Sequence, residues 1–228
     1  MIKAVIFDMD GLIFDSERLY AKANVKTAKT LGLDKDEAYF YQFVGIGAQD
    51  MAERMKEAFD DDLVDEFFRL GEEDAHELLL HGEVPTQPGL YELLDYLDDA
   101  GIEKVIASSS EVHMIDVMTK NAGIRDRFSA IHGGNQVKQT KPAPDIFELA
   151  WSNLGVSKEE TLVLEDSING VLAAYAAGIP VIMVPDTVEP TDEVRDKALA
   201  VVNNLSEVAN YLKQNGSTTF GVGEDFPR

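Results

Sequence analysis

The sequence predicts an α/β protein in which a parallel sheet carries helices on both faces and an all-helical domain is inserted after the first strand. Short runs rich in β-branched residues alternate along most of the chain with segments whose apolar residues recur at helical spacing. Between about Ser16 and His81 the helical patterns continue, but no convincing strand occurs. The alternation predicts the sheet, because parallel neighbours need a crossover connection. The strand-free stretch predicts the insertion.

Each predicted strand is a short apolar run, which is the composition of strands that are buried on both faces of a sheet. In chain order they are Ala4–Phe7, Lys104–Ala107, Ala130–His132, Thr161–Leu164 and Val181–Val184. Strands joined through helices with short connections lie parallel and have helices on both sides. The core is therefore predicted to be Rossmann-like.

The helices of this core are predicted from apolar residues at positions i, i+3, i+4 and i+7. The clearest stripes begin at Leu90, Ile146 and Ile168, and a glycine follows each of them. Glycine is the usual residue where a helix ends in the left-handed conformation. A further helix is expected after the serine run Ser108–Ser110.

The helical insert divides the chain into two predicted domains, a core of residues 1–14 and 87–228 and a cap of residues 15–86. The segment EVPTQPG, with two prolines and a glycine, indicates the linker that leads back to the sheet. The first strand and its partners lie on opposite sides of the insert in sequence, so the chain must return to where it left. We therefore expect the cap to cover the end of the first strand as a lid.

Composition excludes several classes of protein. The 228 residues carry a net charge of −22, which argues against nucleic acid or an anionic membrane as partners. The absence of cysteine excludes disulfides, thiolate metal sites and a cysteine nucleophile. The sequence has no signal-peptide pattern and no stretch long enough to span a bilayer. We expect a soluble cytoplasmic protein without an obligate protein partner.

Charged and polar residues follow four of the predicted strands. In chain order they are Asp8 and Asp10, then Ser108, then Lys141, then Glu165 and Asp166. Ligands of open parallel sheets bind at the carboxyl ends of the strands. We therefore expect these residues to meet at one edge of the sheet.

The residue types at this edge favour phosphoryl transfer. Crowded carboxylates cannot all stay ionised without a cation. Hard oxygen ligands favour Mg²⁺, which takes one or two carboxylates and shares a phosphate oxygen. Ser108 precedes a helix whose free N–H groups favour a phosphate, and Lys141 adds a positive charge. The set predicts Mg²⁺ as cofactor and a small phosphorylated molecule as substrate.

Four motifs resemble those of the haloacid dehalogenase superfamily, in its subgroup of phosphatases and phosphosugar mutases with a small helical cap. They are DMDG (Asp8–Gly11), VIAS (Val105–Ser108), KPAPD (Lys141–Asp145) and LEDSINGVLAA (Leu164–Ala174). They follow predicted strands in the family's order. The resemblance covers nearly the whole chain except for the insert and the tail after about Gln214.

This resemblance implies a role for each matching residue. Asp8 would be the nucleophile that forms an aspartyl-phosphate, and Asp10 would be the general acid and base. Ser108 and Lys141 would hold the phosphoryl group. The resemblance further implies that Mg²⁺ is bound by Asp8, by the backbone carbonyl of Asp10 and by Asp166.

Three further residues are predicted to contact substrate. Ser109 continues the phosphate-binding loop, Glu17 stands at the hinge into the cap, and Gly45 belongs to a turn expected to face the site. For the hinge, capping of the first cap helix by Asp15 or Ser16 is an alternative to a substrate contact by Glu17.

Three other residue types are predicted to have supporting or structural roles. We expect Glu165 to support the ligands rather than bind metal. Ser110 is predicted to cap the helix that follows it. The histidines, including His132, show no metal-ligand spacing and are interpreted as structural or surface residues.

A phosphatase of small phosphomonoesters is the favoured function, and a mutase resembling β-phosphoglucomutase is the alternative. Such mutases carry a histidine after the hinge and basic residues around a glycine-containing cap turn. Here the corresponding positions are Tyr20 and FVGIGAQD (residues 43–50), which contain no histidine, lysine or arginine. This departure argues against mutase activity. A non-catalytic binding protein is disfavoured by the intact acidic and lysine motifs.

Overall fold

The computed structural model describes residues 1–43, 48–81 and 84–215 of the chain. The chain forms two compact units, Met1–Phe14 with Thr86–Arg228, and Asp15–Pro85. We call the first the core unit and the second the cap unit. The predicted second domain boundary lies one residue later than this division. The use of the cap unit as a lid remains a prediction.

A six-stranded parallel sheet forms the centre of the core unit, in the strand order β3-β2-β1-β4-β5-β6. The strands are β1 (Ala4–Phe7), β2 (Glu103–Ala107), β3 (Ala130–His132), β4 (Thr161–Glu165), β5 (Val181–Met183) and β6 (Ala200–Val201). The predicted α/β class and the five predicted strands are confirmed. The edge strand β6 was not predicted, because two half-buried residues show no periodicity.

Helices make up the cap unit and connect the strands of the core unit. They are α1 (Ser16–Thr30), α2 (Glu37–Tyr41), α3 (Ala48–Lys56), α4 (Asp61–His81), α5 (Leu90–Asp99), α6 (Val112–Asn121), α7 (Asp145–Ser152), α8 (Ile168–Ala176), α9 (Asp192–Lys197) and α10 (Leu205–Asn215). Within the described ranges, none of these helices has the length and apolarity that a membrane crossing requires. A cytoplasmic location remains a prediction.

The sheet is buried on both faces, as its apolar runs predict. On one face, Ile6 and Val163 pack with Phe147 of α7 and Val171 of α8 in a single apolar cluster. On the other face, the ring of Phe7 meets that of Phe128 edge to face at 5.5 Å. Each fully buried side chain of this kind contributes about 1.5–3 kcal/mol. This packing fixes the strand ends that carry the site.

Backbone hydrogen bonds continue the sheet by one residue at its carboxyl edge. The amide of Asp8 donates to the carbonyl of Leu164 at 3.0 Å, and the amide of Ser108 donates to the carbonyl of His132 at 3.0 Å. The first residues after β1 and β2 are therefore held by the sheet itself. Their side chains start from fixed backbone positions.

The cap unit has an apolar cluster of its own. The rings of Phe40 and Phe67 stack at 5.6 Å, and both side chains are almost fully buried. The hydroxyl of Thr27, on α1, donates to Asp74 of α4 at 2.7 Å. Asp15 caps α1 by accepting from the amide of Arg18 at 3.2 Å, which confirms the predicted capping role.

Candidate active site

Three carboxylates meet at the carboxyl edge of the sheet. Asp8 follows β1, Glu165 ends β4, and Asp166 follows it. Strands β1 and β4 are parallel neighbours with Phe7 opposite Leu164, so the residues that follow lie side by side. One oxygen from each of the three carboxylates lies within 4.8 Å of the others. The expected gathering of acids at this edge is therefore present in the structure.

Lys141 bridges two of these carboxylates. Its Nζ donates to Oδ1 of Asp8 and, at 2.6 Å, to Oε1 of Glu165. The ring of Phe147 lies 4.8 Å from the same nitrogen. All three charged side chains are almost completely buried. Removing one partner of such a group leaves a buried charge uncompensated.

The charges at this site do not balance, because one lysine faces three carboxylates. Burial, together with the charges of Glu165 and Asp10, raises the pKa of Asp8 to about 7 against the pull of Lys141. Burial and the charges of Glu165 and Asp8 hold the pKa of Asp166 well above its usual range. Burial lowers the pKa of Lys141, but the two carboxylates beside it raise it by more. A divalent cation fits this surplus of negative oxygen atoms.

Glu165 has both of its carboxylate oxygens engaged. Oε1 accepts from Lys141, and Oε2 accepts from the amide and the hydroxyl of Ser167, each at 2.9 Å. Gly170 leaves room for this carboxylate, since a Cβ there would lie 1.7 Å from Oε1. The arrangement is that of a supporting residue that orients Lys141.

Gly11 serves both the turn after β1 and the placement of Asp166. Its φ is +86°, a conformation that glycine adopts without strain. A Cβ at this position would lie 2.2 Å from Oδ2 of Asp166. The contact with a carboxylate more than 150 residues away in the chain has no local signal in the sequence.

Asp10 accepts hydrogen bonds from the serine loop after β2. Oδ2 accepts from the hydroxyl of Ser110 at 2.7 Å and, more weakly, from that of Ser108 at 3.4 Å. The pKa of Asp10 is raised, because the effect of burial exceeds that of the Ser110 hydrogen bond and the charge of Lys141, which lower it. The predicted capping role of Ser110 is wrong: Glu111 occupies the N-cap of α6, without a side-chain capping bond.

Two adjacent glycines after β3 hold the serine loop. The amide of Gly134 donates to the carbonyl of Ser110 at 2.9 Å. A Cβ on Gly133 would lie 2.5 Å from the amide nitrogen of Val112, and one on Gly134 would lie 2.3 Å from the carbonyl oxygen of Ser109. Sequence reasoning missed this pair, although two consecutive glycines directly after a strand are a turn signal.

The remaining predicted residues lie outside this cluster or outside the described structure. Ser109 is exposed between Ser108 and Ser110. Glu17 belongs to α1 of the cap unit, and its side chain lies outside the described part of the structure. Gly45 also lies outside the described residues.

His132, at the end of β3, is buried as the structural interpretation requires. Burial lowers its pKa, which favours a neutral ring. Neither ring nitrogen has a hydrogen-bond partner among the described residues.

Comparison with known proteins agrees with this geometry. The sequence model of the haloacid dehalogenase-like hydrolases matches residues 5–184. The protein CbbY of Cereibacter sphaeroides is 30% identical over 195 residues, which cover 81% of this chain and 85% of CbbY. A phosphorylated carbohydrates phosphatase of Thermotoga maritima is 29% identical over 178 residues, 78% of this chain and 82% of the phosphatase.

The fold also agrees with solved structures of CbbY from Rhodobacter sphaeroides. A phosphate complex of that protein has a TM-score of 0.65 and 27% identity, and the match covers 91% of this chain and 96% of CbbY. A complex of a CbbY variant with Xylulose-(1,5)bisphosphate has a TM-score of 0.67 and 28% identity, with the same coverage of both chains.

A parallel sheet that carries an acidic cluster with one buried lysine at its carboxyl edge fits the phosphatases named among these relatives. The chain belongs to the haloacid dehalogenase-like hydrolase family, because that family's model matches well over half of its length. The predicted family is confirmed. So is the predicted enzyme class, a phosphoric monoester hydrolase, since relatives are named as phosphatases.

Proposed function

We propose that this chain is an Mg²⁺-dependent phosphatase that hydrolyses small phosphomonoesters, either sugar phosphates or nucleotide-like compounds, through an aspartyl-phosphate on Asp8. The observation that carries the proposal is the buried contact of Lys141 with Asp8 and Glu165 beside Asp166. A buried cluster with this charge surplus is costly to the fold and typical of a catalytic site.

The carboxylates of Asp8 and Asp166 and the backbone carbonyl of Asp10 would hold Mg²⁺. When bound, the ion offsets the negative charge of these groups and of the substrate phosphate, and orients the phosphate oxygens. Glu165 is left to Lys141 and Ser167. This division of roles accounts for one acid of the cluster being fully hydrogen-bonded.

In the first step, an oxygen of Asp8 attacks phosphorus and the bond from phosphorus to the ester oxygen breaks. Asp10, in its protonated form, gives its proton to the departing oxygen, so that an alcohol leaves. Ser108 and Lys141 stabilise the transferring phosphoryl group through a hydroxyl and a positive charge. The products of this step are the free alcohol and an acyl phosphate on Asp8.

In the second step, water attacks the phosphorus of the acyl phosphate. Asp10, now ionised, takes a proton from this water, and inorganic phosphate leaves while the carboxylate of Asp8 is restored. Asp10 thus alternates between acid and base, and the cycle closes without a net change in the enzyme. Ser109, and Glu17 and Gly45 from the cap unit, are proposed to contact the substrate.

Hydrolysis is proposed over transfer to a second hydroxyl of a sugar phosphate. A mutase must grip a second phosphate while it excludes water, which ordinarily requires lysine or arginine in the cap. Residues 43–50 contain neither. The related phosphatase of phosphorylated carbohydrates and the CbbY complex with a sugar bisphosphate support a phosphorylated sugar as the substrate class.

The proposal is tested with a panel of phosphorylated sugars and nucleotides, in Mg²⁺ and in a chelator. Wild-type protein is expected to release phosphate from at least one class in Mg²⁺ only, and Asp8→Asn from none. With glucose 1-phosphate, phosphate is expected to appear without glucose 6-phosphate, whether or not glucose 1,6-bisphosphate is added. Faster formation of glucose 6-phosphate than of phosphate would show a mutase instead.

A further inference from the structure

We propose that Ser110 is a positioning residue for Asp10, whose hydroxyl holds the carboxylate of the general acid and base at a fixed place beside Ser108. The inference rests on the proposed function, because the role of Asp10 as general acid and base is part of that proposal. None of the four sequence motifs contains Ser110. The contact is visible only in three dimensions.

Both hydrogen bonds to the Asp10 carboxylate reach the same oxygen. Ser110 donates to Oδ2 at 2.7 Å with good length, and Ser108 donates at 3.4 Å, near the limit for a hydrogen bond. In the described part of the chain, no group donates to the other oxygen, Oδ1. One oxygen is thus anchored by the protein, and the other is left to exchange a proton with the substrate or water.

The hydroxyl of Ser110 has no competing structural use in the described structure. Helix α6 is capped at Glu111, so Ser110 does not satisfy its free amides. The backbone of Ser110 is itself fixed, since its carbonyl accepts from the amide of Gly134 at 2.9 Å. A rigid loop therefore presents this hydroxyl to a carboxylate 100 residues away in the chain.

Ser110 also orients Ser108. The amide of Ser110 donates to Oγ of Ser108 at 3.0 Å, which leaves the proton of that hydroxyl free to point toward Asp10 or a bound phosphate. Ser110 thus contacts Ser108 through its backbone amide and Asp10 through its hydroxyl. Displacement of the Asp10 carboxylate is expected to impair proton transfer more than substrate binding, because proton transfer requires near-contact geometry.

The test compares kcat/KM for two substrates that differ in the need for an acid. Glycerol 2-phosphate releases an alkoxide that must be protonated, and 4-nitrophenyl phosphate releases a stable phenolate. Ser110→Ala is expected to lower kcat/KM for glycerol 2-phosphate by roughly tenfold and to leave that for 4-nitrophenyl phosphate within about twofold. Ser110→Thr, which keeps the hydroxyl, is expected to restore the first value.

Ser129→Ala is the matched control. It removes a serine hydroxyl that also donates to a carboxylate at 2.7 Å, that of Glu103, at the opposite end of the sheet. It should change neither rate. Should Ser110→Ala fail to fold, Ser110→Cys keeps the shape with a weaker donor and is expected to show the same selective loss.

The possible outcomes separate the two proposals. Equal rates in Ser110→Ala and wild type, or an equal loss on both substrates, would overturn the positioning role while the phosphatase stands. A faster Ser110→Ala would overturn it too, since the serine would then restrain Asp10. If wild type hydrolyses neither these two substrates nor any member of the sugar phosphate and nucleotide panel in Mg²⁺, the proposed function fails, and the role of Ser110 fails with it.

Discussion

The cap unit and the core unit each contain a lysine between two carboxylates, and the two sites differ in their access to water. In the cap unit, Lys26 lies within 2.8 Å of two acidic side chains of α4, and its own side chain is 48% exposed. In the core unit, Lys141 contacts Asp8 and Glu165, and its side chain is 7% exposed. The same chemical grouping is a surface feature in one unit and a buried site in the other.

The difference in exposure gives the two groups different energetic costs, and the proposed reaction uses the costly one. An exposed ion pair contributes little to stability, because water solvates its members almost equally well in the unfolded chain. A buried one must offset the cost of removing charge from water. In the core unit the third carboxylate, Asp166, adds to this cost. Buried charge clusters of this kind are concentrated at functional sites.

Replacing each of the two lysines in turn is expected to give the largest difference in stability between the two sites. Lys141→Met leaves two buried carboxylates without their partner and is expected to destabilise the metal-free protein by about 3–5 kcal/mol. Lys26→Met removes an exposed charge and is expected to shift the urea midpoint only slightly. Urea unfolding of both variants beside wild type measures the contrast. Equal destabilisation by the two changes would contradict it.

Substitution of Asp10 tests whether this residue donates a proton to the leaving group or acts only through its charge. Asp10→Asn is expected to lower kcat/KM by roughly 10² for a substrate with an alkoxide leaving group, because the proton donor is lost. The loss should be smaller for 4-nitrophenyl phosphate. Metal binding should persist, since only the backbone oxygen of this residue is proposed to contact the ion. An equal loss on both substrates would exclude the acid role.

Mg²⁺ is expected to stabilise the core unit through Asp166. In metal-free buffer, Asp166→Asn should melt above wild type, because one acid of the crowded cluster is removed. Saturating Mg²⁺ should raise the melting temperature of wild type but not that of the variant. Glu77→Gln, an exposed cap substitution, serves as control and should respond to Mg²⁺ as wild type does. A variant that still gains stability from Mg²⁺ would place the metal elsewhere.

The same acidic cluster is expected to make the stability of the metal-free protein depend on pH, with a smaller effect than the substitutions above. The pKa of Asp8 is raised to about 7 in the folded protein, above about 4 in an unfolded chain. Between these values the folded state binds more protons, so metal-free stability falls as pH rises. Wild type should therefore lose melting temperature relative to Asp8→Asn between about pH 4 and about pH 7. A constant difference would show that Asp8 is not perturbed.

The sequence was sufficient for most of the fold, because strands buried on both faces must be apolar along their length. The first strand, Ala4–Phe7, agrees to the residue with the structure. The edge strand Ala200–Val201 was not predicted, since only two residues pair and neither is fully buried. Periodicity needs several residues to become visible.

Site residues were predictable where a strand end delivers them and not where packing does. Asp8 and Asp166 come together because adjacent parallel strands end at the same edge. Ser110 was assigned to a helix cap because that is the nearest use for a hydroxyl, whereas its partner Asp10 is remote in sequence. Likewise, Gly170 looks like an ordinary helical residue until the carboxylate above it is seen.

The central claim is that Asp8 carries the phosphoryl group during turnover, and chemical trapping tests it most directly. Wild-type protein is mixed in Mg²⁺ with a phosphate-labelled substrate, quenched in acid within the first turnover and digested. The account predicts label on the peptide that contains Asp8, removed by hydroxylamine as an acyl phosphate is, and no label on Asp8→Asn. Turnover without labelled protein, or label on another residue, would contradict the account.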